Sequence, residues 1–210
     1  SWFVLKETES RVILLEQEQL KAELATLKGQ INPHFLFNSL NSIYALVLKK
    51  EESAQEALLK LSGTLRYVIY ESNAEKVNLG QELSFIGDYL SLQRLRLKNE
   101  TQLRSSIECN APNAEIAPLI LITIIENCFK HGLKKPGQDS FIGISISATS
   151  SHLMLKTEND IAMANMDDPE SPGLGLKNLI KRLELIYPNK HKLNISQSSD
   201  IYRIALDIDL

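Results

Sequence analysis

His34 lies in the run Gln30-Ile31-Asn32-Pro33-His34-Phe35-Leu36-Phe37-Asn38-Ser39-Leu40-Asn41, with side-chain amides at Asn38 and Asn41 on neighbouring helical turns. An imidazole on an amphipathic helix can accept a phosphoryl group while neutral, because the protonated ring has no free lone pair. By spacing alone the same histidine reads equally as a capping or core residue. A chain that uses it as an acceptor must also carry a phosphate source, and two later segments have that chemistry. In Ile124-Ile125-Glu126-Asn127-Cys128-Phe129-Lys130-His131-Gly132, helical geometry puts Asn127, Lys130 and His131 on one face with Glu126 beside them. An Asn oxygen is a hard ligand suited to Mg2+, which takes one or two protein oxygens together with phosphates. Lys130 and His131 can meet phosphate oxygens, although Lys, His and Gly are also ordinary residues at a helix C-terminus. In Pro172-Gly173-Leu174-Gly175-Leu176-Lys177-Asn178, two glycines precede an amphipathic helix, so backbone N–H groups can approach phosphates at its positive end.

These residues need elements to position them. Ile13, Leu20, Leu27 and Leu24, Ile31 repeat in steps of seven, interleaved by three and four, so residues 6–31 form a coiled-coil seam with Gln17 within it. That stripe packs either on a second copy, as a parallel dimer, or on the chain's own second helix. Pro33 either ends this helix or occupies the first turn of a new one, and both options set His34 at a helix start or kink. A second helix is predicted over 51–70, with Ala54, Ala57, Leu58, Leu61, Leu65, Val68 and Ile69 on one side. Two such hairpins make a four-helix bundle. Ser72-Asn73-Ala74-Glu75 reads as a linker.

The texture then changes. Residues 80–97 and 118–131 read as helices, the second apolar almost all round and therefore buried. Strands are predicted over 101–109, 141–148, 153–157, 192–197 and 201–209, and a further helix over 173–187 is stopped by Pro188. Residues 160–172 read as a loop. The fold class is α+β: a helical hairpin and coiled coil, then an α/β sandwich with a mixed sheet. The domains are 1–31, 32–74 and 75–210.

With 43% apolar and 23% charged residues, the 210-residue chain has a globular balance. A net charge of −3 argues against a nucleic-acid surface. Cys109 and Cys128 sit in apolar runs and read as small core residues of a reducing compartment. No run reaches the roughly 18 apolar residues of a membrane-spanning helix. Ser1-Trp2-Phe3-Val4-Leu5-Lys6 reads either as the flank of an upstream membrane helix or as a frayed helix end.

His34 in NPHFLFNSLN, the ENCFKHG helix and GLGLKN followed by Arg182-Leu183 and Tyr187-Pro188 resemble the LytS-type sensor histidine kinases, over about Leu27 to Leu210. The later half is similar to the ATP-binding fold shared by histidine kinases, gyrase B, Hsp90 and MutL (the GHKL fold). The resemblance implies autophosphorylation from ATP and Mg2+ at His34, then transfer to a response-regulator aspartate. It implies that Asn38 positions water for dephosphorylation of that partner, that Asn127 holds Mg2+, and that Glu126 polarises the attacking imidazole. Lys130, His131, Gly173, Gly175, Lys177 and Asn178 would contact phosphate, and 160–172 would be the lid. It also implies a homodimer at the cytoplasmic face of the inner membrane, with a sensor and transmembrane region upstream.

Two departures stand out. Where the family carries DxGxG, whose Asp accepts from the adenine amino group, this chain reads Glu158-Asn159-Asp160-Ile161-Ala162, without glycine. Alternation puts Asn159 in line with Leu153, Leu155 and Thr157 and so facing inward, where its oxygen can accept from adenine without charge assistance. His34 is followed by Phe35 rather than by an acidic neighbour, which leaves the base unassigned. The weakened adenine segment keeps a pseudokinase that signals through its dimer as the alternative. An ATP-driven clamp without phosphotransfer is disfavoured by the histidine segment.

Overall fold

The computed structural model describes residues 33–97, 102–132, 141–161 and 174–210. The coiled-coil helix expected over 6–31 lies outside the described residues, as do Gly173 and most of the expected lid. The chain divides into two compact units, Ser1–Ala54 and Gln55–Leu210.

In the first unit the described element is helix α1, Pro33–Leu48. Pro33 opens it, where the missing N–H removes no intrahelical bond. Lys50, at φ 57, ends it in a left-handed turn, and the Glu51 N–H returns to the Leu46 carbonyl at 3.0 Å. Phe35, Ser39 and Ile43 recur at steps of four and are buried. Phe37, Leu40, Tyr44 and Val47 form an exposed apolar stripe.

Helix α2, Ser53–Ile69, begins at the division between the units. It buries Ala54, Ala57, Leu61, Thr64 and Val68, a stripe spaced by threes and fours. Leu58, expected on that side, is exposed, because one residue beyond the stripe turns a side chain about 100° away from it. The stretch expected as a linker is more structured than that. Glu71–Asn73 form a 3-10 turn with Ser72 buried, and the Ser72 hydroxyl donates to the Val68 carbonyl at 2.7 Å.

A two-residue strand β1, Val77–Asn78, pairs antiparallel with β3, Glu115–Ile116. Pairs this short leave no periodic trace in the sequence. Between them come helix α3, Leu79–Arg94, and strand β2, Leu103–Cys109. The Asn78 N–H donates to Gln81 Oε1 at 3.3 Å at the start of α3. Helix α4, Ile120–Gly132, follows β3, and then come β4, Ile142–Ala148, β5, His152–Asp160, helix α5, Leu174–Ile186, β6, His191–Gln197, and β7, Ile201–Asp209.

The five long strands form one sheet in the order β2-β4-β5-β7-β6. β2 and β4 run parallel and the other pairs antiparallel, so the sheet is mixed as expected. Parallel neighbours need a crossover, and the segment carrying α4 provides it. One face is apolar: Ile142, Ile144, Ile146 and Ala148 on β4, Leu153 and Leu155 on β5, and Ile204, Leu206 and Ile208 on β7 are all buried. Helix α4 lies on β5 and β4, α3 reaches β2, and α5 reaches β6. The opposite face presents exposed Ser145, Ser147 and Lys156. Alternation with period two therefore sets one wet face and one dry face.

Helix α4 is the centre of the packing. Ile120, Leu121, Ile124, Ile125 and Cys128 each have no exposed surface. Burial pushes the Cys128 thiol up to about 11, which fits the inert core residue expected there. Ile124→Ala should cost about 2–5 kcal/mol in urea unfolding, whereas Leu185→Ala, on a side chain 82% exposed, should stay within about 0.5 kcal/mol.

Candidate functional site

His34 is the second residue of α1 and is exposed. The Asn38 side-chain nitrogen lies 3.0 Å from His34 Nε2, one turn on. An amide nitrogen only donates, so Nε2 accepts and the ring proton sits on Nδ1. The neighbouring Phe35 is buried and offers no base.

In the second unit, the C-terminal half of α4 holds Glu126, Asn127, Lys130 and His131. Glu126, Asn127 and His131 are half-buried, and Lys130 is exposed at the helix end. Burial, then the Lys130 charge, lowers the His131 pKa, so this ring favours the neutral form and can both donate and accept. Among the described residues no group of three or more His, Cys, Asp or Glu side chains could hold a metal ion. A cation at Asn127 would need most of its ligands from phosphate and water, which is how Mg2+ binds at nucleotide sites.

Asn159, on β5, meets the end of this helix. A Cβ added at Gly132 would come within 2.7 Å of Asn159 Cβ, so the last turn of α4 reaches the asparagine only with glycine there. Asn159 is 1% exposed, as alternation indicated. Its Nδ2 donates to the Asp160 carbonyl at 2.8 Å, which leaves Oδ1 buried without a hydrogen-bond partner. A buried orphan acceptor of this kind costs about 1–3 kcal/mol, and a donor on a bound molecule would recover it. At the start of α5, Gly175, Lys177 and Asn178 are exposed, and α5 packs on α4. A Cβ at Gly175 would meet nothing within 4 Å. The second unit thus brings the end of α4 against Asn159, with α5 packed on α4, while His34 and Asn38 stand together on α1.

Sequence reading missed Glu82, on α3. It has no exposed surface, yet its Oε2 accepts from the Tyr67 hydroxyl of α2 and from the Leu119 N–H, the latter at 3.2 Å. Burial raises the Glu82 pKa to about 7, opposed by the bonds from Tyr67 and Leu119 and by the Arg182 charge on α5. The available signal was an acidic residue one step from the buried positions of an amphipathic helix, which reads as solvated.

The histidine kinase family model matches residues 22–101. The sensor protein LytS of Staphylococcus haemolyticus is 29% identical over 188 residues, covering 84% of this chain and 32% of that protein. The sensor histidine kinase/phosphatase LytS of Staphylococcus aureus is 28% identical over 207 residues, covering 93% of this chain and 35% of that protein. Among solved structures, the histidine kinase domain of a blue-light activated histidine kinase from Erythrobacter litoralis is similar at 14% identity and a TM-score of 0.48, over 92% of this chain and 93% of that one. By these sequence matches the chain is similar to histidine kinases of the LytS type. It spans about a third of the length of the curated relatives it matches.

Glu82 also yields a stability prediction. Its folded pKa of about 7 lies above the ordinary 4.5, so the folded chain holds a proton that the unfolded chain releases between those values. The stability contributed by the protonated form is full below about pH 4.5 and is lost as pH rises through about 7. From pH 5 to 8, unfolding free energy should fall by about 2 kcal/mol relative to Glu82→Gln, as read by denaturant titrations of both proteins.

Proposed function

We propose that this chain is the phosphotransfer and ATP-binding region of a two-component sensor kinase, which phosphorylates His34 and passes the group to a response-regulator aspartate. The domain plan of 1–31 for signalling, 32–74 for dimerisation and phosphoacceptance and 75–210 for ATP binding is part of this reading. The observation that carries it is Asn159 Oδ1, a buried acceptor without a partner beside the polar end of α4. An adenine amino group is the donor it suits.

ATP with Mg2+ on its phosphates supplies the phosphoryl group and neutralises charge as the group moves. Asn127 would hold the Mg2+. Lys130, His131, Lys177, Asn178 and the backbone at Gly173 and Gly175 would hold phosphate oxygens, so that transfer depends on positioning. Glu126 would polarise the incoming imidazole. At His34, the Asn38 amide holds the Nε2 lone pair with the ring neutral. That amide would have to turn aside before Nε2 could attack the γ-phosphorus, the bond to the bridging oxygen breaking to release ADP and the Nδ1 proton passing to water. The same amide can afterwards orient water toward the phosphorylated partner.

The exposed stripe of Phe37, Leu40, Tyr44 and Val47 on α1 supports assembly as a homodimer through this helix. Among the described residues no helix is long and apolar enough to cross a membrane. The sensor and transmembrane region, and a location at the cytoplasmic face of the inner membrane, therefore belong to the proposal for the whole protein.

The glycine-free segment from Glu158 to Ala162 supports a second reading, a pseudokinase that signals through its dimer. Incubation with Mg2+ and γ-labelled ATP separates the two. The kinase reading expects acid-labile, base-stable label on the chain and none on His34→Gln. Label of equal extent on both would contradict His34 as acceptor, and absence of nucleotide binding would favour the pseudokinase. Asn38→Ala should keep label on His34 within about threefold while slowing dephosphorylation of a phosphorylated regulator by about tenfold or more, as loss of a group that orients the attacking water would produce.

A further inference from the structure

The last turn of α4 carries the polar cluster, and its first turn is anchored from outside the helix. Leu119 immediately precedes α4 and has φ 61, a left-handed conformation that costs a leucine about 1 kcal/mol or more. Two contacts hold this turn. The Ala117 N–H donates to the Tyr187 hydroxyl at 2.9 Å, just beyond the end of α5. The Leu119 N–H donates to Glu82 Oε2 at 3.2 Å, and the same oxygen accepts from the Tyr67 hydroxyl of α2. Burial first, then the Glu82 charge and bond, hold the Tyr67 hydroxyl protonated far above its usual range, so it is a firm donor. The Tyr67 ring is stacked on Phe85 of α3, with centroids 4.6 Å apart and planes at 17°.

A carboxyl group is an expensive way to fill this space. Glu82 has no exposed surface, and its Oε1 has no hydrogen-bond partner. An apolar side chain of similar volume would avoid that desolvation penalty and pack as well. Only an acceptor, however, can join a donor on α2 to the N–H ahead of α4 through one atom. Packing alone does not account for that arrangement.

We infer that Glu82 is a positioning residue for α4, and that the Tyr67 hydroxyl couples it to α2. A displacement of α2 then reaches Asn127 through Tyr67, Glu82 Oε2 and the Leu119 N–H. All of these residues lie in the second compact unit. The coupling deepens the kinase reading and rests on it only for its effect on rate. Asn159 is held by β5 within the sheet, and it is the far end of α4, at Gly132, that touches it. Loosening α4 at its start therefore weakens phosphate positioning more than hold on the base.

The test compares the 210-residue chain with Tyr67→Phe, which keeps the ring and its stacking but removes the donor, and with Glu82→Gln and Glu82→Met. Amide hydrogen exchange is followed by mass spectrometry, and His34 labelling is measured across ATP concentrations. In Tyr67→Phe, exchange over 119–132 should accelerate about tenfold with β4 and β5 unchanged, as one lost hydrogen bond would produce. The labelling rate at saturating ATP should fall about tenfold with the KM for ATP within about twofold, the split that marks lost positioning rather than lost binding. Glu82→Gln, which keeps an acceptor, should protect 119–132 to within about threefold of the parent, and Glu82→Met should not. Unchanged exchange over α4 in Tyr67→Phe would overturn the coupling. So would equal acceleration in α4 and the sheet, the mark of a purely structural contact. A parent chain that takes no label would count against the kinase reading alone, since exchange decides the coupling without catalysis.

Discussion

The Glu82 carboxyl group is the constraint on which the arrangement of the second unit depends. One fully buried oxygen receives a hydroxyl from α2 and a backbone N–H from the turn before α4, within the field of Arg182 on α5. Helices α2, α3 and α5 and the segment leading into α4 are thereby referred to one point. Hydrophobic burial supplies the larger share of stability here, as in most domains, but it is non-directional. It leaves α4 free to slide or rotate by amounts that matter at a phosphate site, and a hydrogen-bonded buried acceptor removes that freedom.

Downstream of that point the geometry follows from simple patterns. The mixed sheet presents one dry face, α4 crosses it, and Gly132 lets the end of the helix come against Asn159. A polar asparagine in a strand whose other inward residues include Leu153 and Leu155 would be a defect in a protein built for stability alone. Next to a helix end bearing Asn127, Lys130 and His131, it would serve as a recognition element under the proposed nucleotide reading. The asparagine carries no charge, so its contact with a base would be a neutral hydrogen bond, weaker than the one a carboxylate makes.

Much of this was legible in the sequence, because strong periodicity reports burial directly. β4 and β5 alternate cleanly, the β6–β7 hairpin is bounded by Ser198-Ser199-Asp200, and α4 is apolar on nearly every face; each forms close to where its pattern placed it. The inward orientation of Asn159 came from the same alternation. What failed to show had no local signature. β1 and β3 are stabilised by a partner far along the chain, and Ser72 is buried by a 3-10 turn that polar composition disguised as a linker. Glu82 was invisible for a related reason. An acidic residue on an amphipathic helix is solvated unless donors meet it, and here they come from residues 67 and 119. The histidine segment was legible as chemistry, yet the Asn38 contact that fixes its tautomer needed side-chain geometry.

The central claim is that a nucleotide occupies the second unit with its base read by Asn159, and calorimetric titration of ATP against inosine triphosphate with Mg2+ tests it most directly. The two ligands share every phosphate contact and differ along one edge of the base, where inosine presents an acceptor oxygen in place of the adenine amino donor and an N1–H in place of a bare ring nitrogen. An acceptor at Asn159 would then face another acceptor, a mismatch worth about 1–3 kcal/mol. ATP should therefore bind about tenfold or more tightly than inosine triphosphate. Equal affinities, or no binding of either, would contradict the account.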